Sequence, residues 1–314
     1  MNQKKVFRND IEIKIINKIY FYRILMNIYD YQINKFIVFS LFLLLIFKYI
    51  YNKEKIIISV IIPTYNRENV ISNSVKSVLN QNYKYIEILV IDDGSTGNTQ
   101  NELKKIKDKR IKLIKLNKNR GGNYARNVGI KLAKGKFISF QDSDDIYHFD
   151  KLKKQMKNLY KFKSDFDFCK VGVHINENKT LFYPNKKSVN LIKKVNLYDL
   201  LLSEGNFIST QSILVKKNFI DKYLFDINFP RWQDYDLILR IIPNVKVSFT
   251  NEVLVDLYKQ NNSISIDPSK LKDSIILFLN KNYGHNKAQR KKFIKFLNKI
   301  IKKLKDKFNL SIKM

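Results

Sequence analysis

Residues 56–62 read Ile-Ile-Ile-Ser-Val-Ile-Ile and run straight into Pro63-Thr64-Tyr65-Asn66-Arg67. An unbroken β-branched run is what a strand covered on both faces by helices requires, and Pro63 removes the backbone donor that would extend its ladder. The chain beyond it alternates in type. A helix is predicted over 68–79, a second strand over 86–91, a helix after Gly97, a third strand over 111–116, a helix over 124–133 closed by Gly135, and a fourth strand over 137–140. The order βαβαβαβ implies right-handed crossovers and a doubly wound, mostly parallel α/β sheet.

Beyond residue 149 the pattern is less regular. Strand-like stretches lie near 168–175, 211–215, 245–249 and 253–258, and helices near 197–202 and 233–241. This fits a mixed half packed on the parallel one. After Pro268 come two lysine-laced amphipathic helices, the second with Phe293, Leu297, Ile300, Ile301, Leu304 and Phe308 on its apolar stripe. Three segments follow: a basic, hydrophobic N-terminal segment over 1–55, an α/β domain over 56–266 with halves 56–148 and 149–266, and basic helices over 267–314.

The N-terminal segment contains an uncharged run over 36–47 between Lys35 and Lys48. A membrane span needs about 20 apolar residues. Snorkelling lysines and the flanking Tyr49, Ile50 and Tyr51 extend this run over 36–51, predicting a spanning or re-entrant hydrophobic helix, against the alternative of a packed helix of the fold. Lysines on both sides leave its orientation open, and the run lies too far from the N-terminus for an ordinary signal peptide.

Composition narrows the partners. The net charge is +31, but lysine is spread along the whole chain with no arginine-rich or aromatic-interleaved block, so the charge does not point to nucleic acid. With 45% hydrophobic residues the chain is globular. One cysteine, Cys169, and three scattered histidines make neither a disulfide nor a zinc cluster, which fits a reducing, cytosolic setting.

Ligands in open α/β sheets bind beyond the carboxyl ends of the strands. Three polar sets stand there: Pro63-Thr64-Tyr65-Asn66-Arg67, Asp92-Asp93-Gly94-Ser95 and Gln141-Asp142-Ser143-Asp144-Asp145. Singly, the first two read as a strand stop and a turn with a helix cap. The third is more informative, because three carboxylates within four residues repel one another and favour a cation between them. Hard oxygen ligands select Mn2+ or Mg2+, held by one or two carboxylates plus substrate phosphates. That arrangement suits a diphosphate leaving group.

Residues 59–145, with Ser59-Val-Ile-Ile-Pro-Thr-Tyr-Asn66, Ile91-Asp-Asp-Gly-Ser95, Gly121-Gly-Asn-Tyr-Ala-Arg-Asn-Val-Gly129 and Asp142-Ser-Asp-Asp145, resemble the donor half of glycosyltransferase family 2. A weaker likeness continues through Gln211-Ser-Ile-Leu and Trp232-Gln-Asp-Tyr-Asp-Leu237 to Ser265. The resemblance implies a GT-A fold and an inverting, metal-dependent transfer of one sugar from a nucleotide-sugar donor, expected to be UDP-linked. It further implies a glycan or lipid-linked acceptor in cell-surface polysaccharide or lipopolysaccharide assembly, and the uncharged 36–47 run makes the cytoplasmic face of a membrane the expected location and its surface an expected partner. The resemblance implies Pro63 and Tyr65 at the nucleobase, Asp93 accepting a hydrogen bond from the base, Asp142 near the ribose and metal, Asp144 as principal metal ligand and Asp234 as general base. Arg67, Arg120 and Arg126 are candidates for the diphosphate, since guanidinium matches phosphate bidentately.

Some positions depart from the family pattern. Gln233 stands where an acid commonly precedes the base, Gln260 and Asn261 where many relatives have a histidine, and no Gln-x-x-Arg-Trp segment of processive synthases follows. A nucleotidyltransferase would need a Gly-rich phosphate loop with a lysine after the first strand. An inactive, basic membrane- or nucleic-acid-associated scaffold would not need the acidic positions. Helix geometry separates the two carboxylates of the 233–236 segment, which lie about 200° apart around the axis. Asp234 shares the inward face of Leu237, Ile238 and Ile241, whereas Asp236 is predicted to form an exposed ion pair with Arg240.

Overall fold

The structure is a computed structural model, and it describes residues 57–258, 268–281 and 283–308, together with Ser40 and Leu44. The expected hydrophobic helix over 36–51 lies, those two residues apart, outside the described residues. The chain divides into two compact units, Met1–Lys55 and Ile56–Met314, and among the described residues every strand lies in the second.

Strands β1 (Ile58–Thr64), β2 (Ile86–Asp92), β3 (Ile111–Lys115) and β4 (Phe137–Phe140) form a parallel sheet in the order β3-β2-β1-β4. Helices α1 (Ile71–Leu79), α2 (Thr99–Lys104) and α3 (Gly122–Leu132) make the crossovers. The β1 run is apolar throughout because both of its faces are covered. Val60 and Ile62 enter one core with Val75 and Val78 of α1, while Ile61 enters the other with Ala125 and Ile130 of α3. Gly129 lets α3 settle on β1, since a Cβ there would lie 2.4 Å from Cγ2 of Ile61.

The sheet continues as a mixed one. After β5 (Ile146–Tyr147) and α4 (Lys151–Phe162) come β6 (Phe166–Asn176), β7 (Lys179–Tyr183), α5 (Lys186–Ile192), α6 (Leu197–Glu204), β8 (Ile213–Lys216), α7 (Lys217–Ile220), α8 (Gln233–Ile241) and β9 (Val247–Tyr258). The full order is β3-β2-β1-β4-β8-β6-β9-β5, with β7 on the free side of β6. β8 runs antiparallel to β4 and β6, whereas β6 and β9 are parallel. The stretches expected at 245–249 and 253–258 are one long strand, and β5 and β7 had no counterpart in the expectation.

Helices α9 (Pro268–Lys281) and α10 (Lys287–Phe308) share the main core, through Phe278, Phe293 and Leu297 packed with Tyr235 of α8. Ile301 and Leu304 pack with Leu271 and Ile275. Phe293, Leu297, Ile301 and Leu304 on the apolar stripe of the last helix are therefore buried in the fold. Among the described residues no helix is long and apolar enough to cross one.

Candidate active site

The carboxyl ends of β1, β2 and β4 lie side by side, and their loops are tied to one another. Pro63 and Thr64 are buried opposite Ile91 and Asp92, and Tyr65 emerges exposed. Asn66, in the left-handed region at φ 50°, donates its N–H to Ser95 Oγ at 2.9 Å and accepts from Thr96 N–H at 3.0 Å. Asp92 Oδ1 accepts from Ser95 N–H at 2.8 Å. Gly94 has φ +80°, and a Cβ there would fall 2.7 Å from the carbonyl carbon of Lys118, so glycine is required on both counts.

Asp93 is buried, which pushes its carboxyl up, against the backbone hydrogen bonds that hold it down. It accepts from the N–H groups of Arg120 at 3.0 Å and Gly121 at 2.7 Å. The residue expected at the nucleobase thus also shapes the entry to α3. That helix begins after Gly121, φ +89°, with no side chain capping its first turn. Its open N–H groups, a site favourable to anions, lie one turn before Arg126. The Arg126 Nη2 donates to Asp142 Oδ1 at 2.7 Å, while its Nε is buried without a protein partner, as is Oγ1 of Thr64. The Arg120 guanidinium lies 3.6 Å above the Tyr124 ring.

The acidic motif follows β4. Asp142 takes Arg126 on one oxygen and Gln211 Nε2 on the other, at 2.5 Å. The same amide donates to Asp145 Oδ2 at 2.8 Å, and the backbone N–H of Tyr258 donates to Asp145 Oδ1 at 3.3 Å. Asp144 is left with Arg67, at 4.0 Å. Burial and then the charge of Asp142 push the Asp144 carboxyl up, with Arg67 opposing; burial, Asp142 and Asp144 push Asp145 well up. Among the described residues no three His, Cys, Asp or Glu side chains converge as a metal cage.

Asp234 lies in the first turn of α8, after Trp232 at φ 58°. Its Oδ1 accepts from Tyr235 N–H at 2.8 Å. Burial pushes its carboxyl up to about 6; Arg126 opposes this and Asp142 adds to it, so the candidate base and the acidic motif share one electrostatic neighbourhood. The loop before α8 is held to α3 by two asparagines of the Gly121–Gly129 motif. Asn123 Nδ2 donates to the carbonyls of Asp226 and Phe229, and Asn127 exchanges hydrogen bonds with both backbone groups of Phe225.

Asp236 departs from its expectation. It is fully buried, not a surface partner of Arg240 alone: Arg240 Nη2 at 2.5 Å, Lys281 Nζ at 2.7 Å and the Tyr283 hydroxyl all converge on it. The physical reason is the packing of the C-terminal helices against α8, which brings the second cation and the hydroxyl from beyond residue 268. Gln211 is the site residue that sequence reasoning missed. A neutral amide carries no charge signal, and only the fold shows that it bridges two carboxylates.

A family model described as Glycosyl transferase family 2 matches residues 59–224. An uncharacterized glycosyltransferase of Haemophilus influenzae is 32% identical over 231 residues, covering 71% of this chain and 86% of that protein. The UDP-Glc:alpha-D-GlcNAc-diphosphoundecaprenol beta-1,3-glucosyltransferase WfaP of Escherichia coli is 32% identical over 222 residues, 70% of this chain and 83% of that one. Among solved structures, S. aureus TarS residues 1–349 in complex with UDP-GlcNAc superposes with a TM-score of 0.66 at 22% identity, over 82% of this chain and 76% of that chain. The architecture is that of the GT-A transferases. The chain belongs to glycosyl transferase family 2 and is a glycosyltransferase.

Proposed function

We propose that the protein moves a single sugar from a UDP-sugar to a hydroxyl of a lipid-linked or glycan acceptor, with inversion, during cell-surface polysaccharide assembly at the cytoplasmic face of a membrane. The observation that carries this reading is the acidic motif after β4, where Arg126 holds Asp142 at 2.7 Å and Gln211 bridges Asp142 and Asp145, with Asp234 in the first turn of α8 as a carboxyl pushed up by burial. The donor and acceptor in the name of WfaP support the chemical classes.

In this reading Pro63, Tyr65 and Asp93 receive the nucleobase. Asp93 is acceptor-only and keeps lone-pair capacity beyond its bonds to Arg120 and Gly121. The uncapped start of α3, with Arg67, Arg120 and Arg126, receives the diphosphate. The residues fit a divalent ion: Asp142 is engaged by Arg126 and Gln211, which leaves the Asp144 carboxylate as the principal ligand with Asp142 beside it. Mn2+ or Mg2+ bound there supplies charge neutralisation to the departing diphosphate. Asp234 takes the proton from the acceptor hydroxyl as that oxygen attacks the anomeric carbon in line with the leaving group. A base pushed up to about 6 is mostly ionised at neutral pH yet basic enough to accept the proton.

The test is incubation of the purified protein with Mn2+, UDP-glucose or UDP-GlcNAc, and N-acetylglucosaminyl diphosphate carrying an undecyl tail. Formation of a disaccharide diphosphate with stoichiometric UDP is expected. Neither transfer nor release of UDP from any donor in a wider panel of sugar nucleotides and acceptors would sink the reading.

A further inference from the structure

Opposite the donor loops, the mixed half holds a cluster that the chemistry above does not use. His148, just past β5, and His174 on β6 both direct Nε2 at Asp256 on β9, 2.8 Å from Oδ2 and 3.0 Å from Oδ1. Thr180 Oγ1 on β7 lies 3.0 Å from His174 Nδ1, so the His174 ring is held at both nitrogens. Tyr258 stands opposite His174 in the β6–β9 register and stacks on it, with centroids 4.9 Å apart and planes 16° from parallel. A Cβ at Gly172 would lie 3.3 Å from Asp256 Oδ1 and 3.6 Å from Phe182 Cε1, so the missing side chain leaves room for the array.

Tyr258 is 47% exposed. A lone exposed aromatic needs no explanation, but this one rests on a ring that a carboxylate and a hydroxyl from two other strands fix in place. It also adjoins the reaction site: Asp142 reaches the donor-side Arg126, whereas Asp145, three residues on, reaches the Tyr258 N–H. Both histidines point at the carboxylate and, among the described residues, no metal-binding group of three forms, so the cluster reads as a support and not as a second metal centre.

We propose that Tyr258 is the platform on which the reacting pyranose ring of the acceptor stacks, with His148 and Asp256 at its edge as partners for ring hydroxyls. The inference rests on the sugar-transfer reading above. A pyranose has an apolar C–H face and polar edges, which matches a flat aromatic ring rimmed by hydrogen-bonding groups. A ring already held flat loses little freedom when the sugar docks, so the stacking enthalpy is retained as affinity.

Saturation-transfer NMR on the full chain with UDP, diamagnetic Mg2+ and methyl glycosides of glucose, galactose, mannose and N-acetylglucosamine tests the platform. At least one glycoside is expected to receive saturation on the C–H protons of one ring face. Tyr258→Ala is expected to weaken its binding by about tenfold and Tyr258→Phe to leave it nearly unchanged. His174→Ala, which removes the support alone, is expected to weaken it less than Tyr258→Ala. The UDP ribose signal in the same sample reports the donor site and the integrity of the fold separately; its absence from the wild-type protein would count against the sugar-transfer reading itself. With UDP bound, saturation that persists undiminished in Tyr258→Ala, or no glycoside bound by the wild-type protein, overturns the platform.

Discussion

Nζ of Lys281, at the end of α9, lies 2.7 Å from Oδ1 of Asp236, two residues past the proposed base. Lys281 also pairs with Asp226 Oδ2 at 2.7 Å and sits 4.6 Å above the Phe229 ring, so one ammonium ties α9 to α8 and to the loop that α3 holds. Asp236 is fully buried. Asp236→Ala would leave Arg240 and Lys281 without their shared counter-charge, and breaking a buried pair of this kind costs about 3 kcal/mol or more. A urea transition is expected to move to a lower midpoint with its slope unchanged; an unmoved midpoint would show the cluster to be energetically neutral.

The pH dependence of turnover follows from Asp234. Its carboxyl is pushed up to about 6, so it holds its proton to higher pH than an ordinary aspartate. A general base works unprotonated. The kcat/KM profile, which reports the free enzyme, is therefore expected to rise about tenfold per pH unit below the pKa and to level above it, with the bend near 6. A bend near 4, or a rate that falls as pH rises through 6, would remove Asp234 from this role.

Metal dependence is proposed to run through Asp144. Asp144→Ala is expected to abolish transfer and the Mn2+-dependent part of nucleotide binding, while the unfolding transition stays close to that of the wild-type protein, because a strand-end loop carries little packing. Full activity of the wild-type protein in excess EDTA would refute the assignment.

Membrane attachment through the N-terminal segment is a proposal that rests on the uncharged run over 36–47. Phe293, Leu297, Ile301 and Leu304 of α10 are already used inside the fold. Deleting residues 1–52 should shift the protein from the membrane pellet to the supernatant of lysed cells; an unchanged pellet would point to the lysine-covered surface instead.

The donor half was legible because its signals are local. The apolar run over 56–62 marks a single strand, and the acidic motif lies within four residues. What escaped reading depends on distant partners. Asp236 is four residues from Arg240 and reads as a surface pair, but Lys281 and Tyr283, 45 and 47 residues away, place it in the core. Gln211 meets Asp142 and Asp145 across 69 and 66 residues. β5 has two residues, too few for any period, and β7 is a mostly exposed edge strand without a buried face.

Asp234→Asn tests the central claim most directly, with donor binding and sugar transfer measured on the same sample. The substitution keeps the shape of the side chain and removes its capacity to take a proton, so transfer is expected to fall by about 10²–10⁴ while Mn2+-dependent UDP binding stays within a factor of about 3, because the residues proposed to hold the diphosphate are others. Transfer at the wild-type rate by Asp234→Asn, or loss of UDP binding equal to the loss of transfer, would contradict the account.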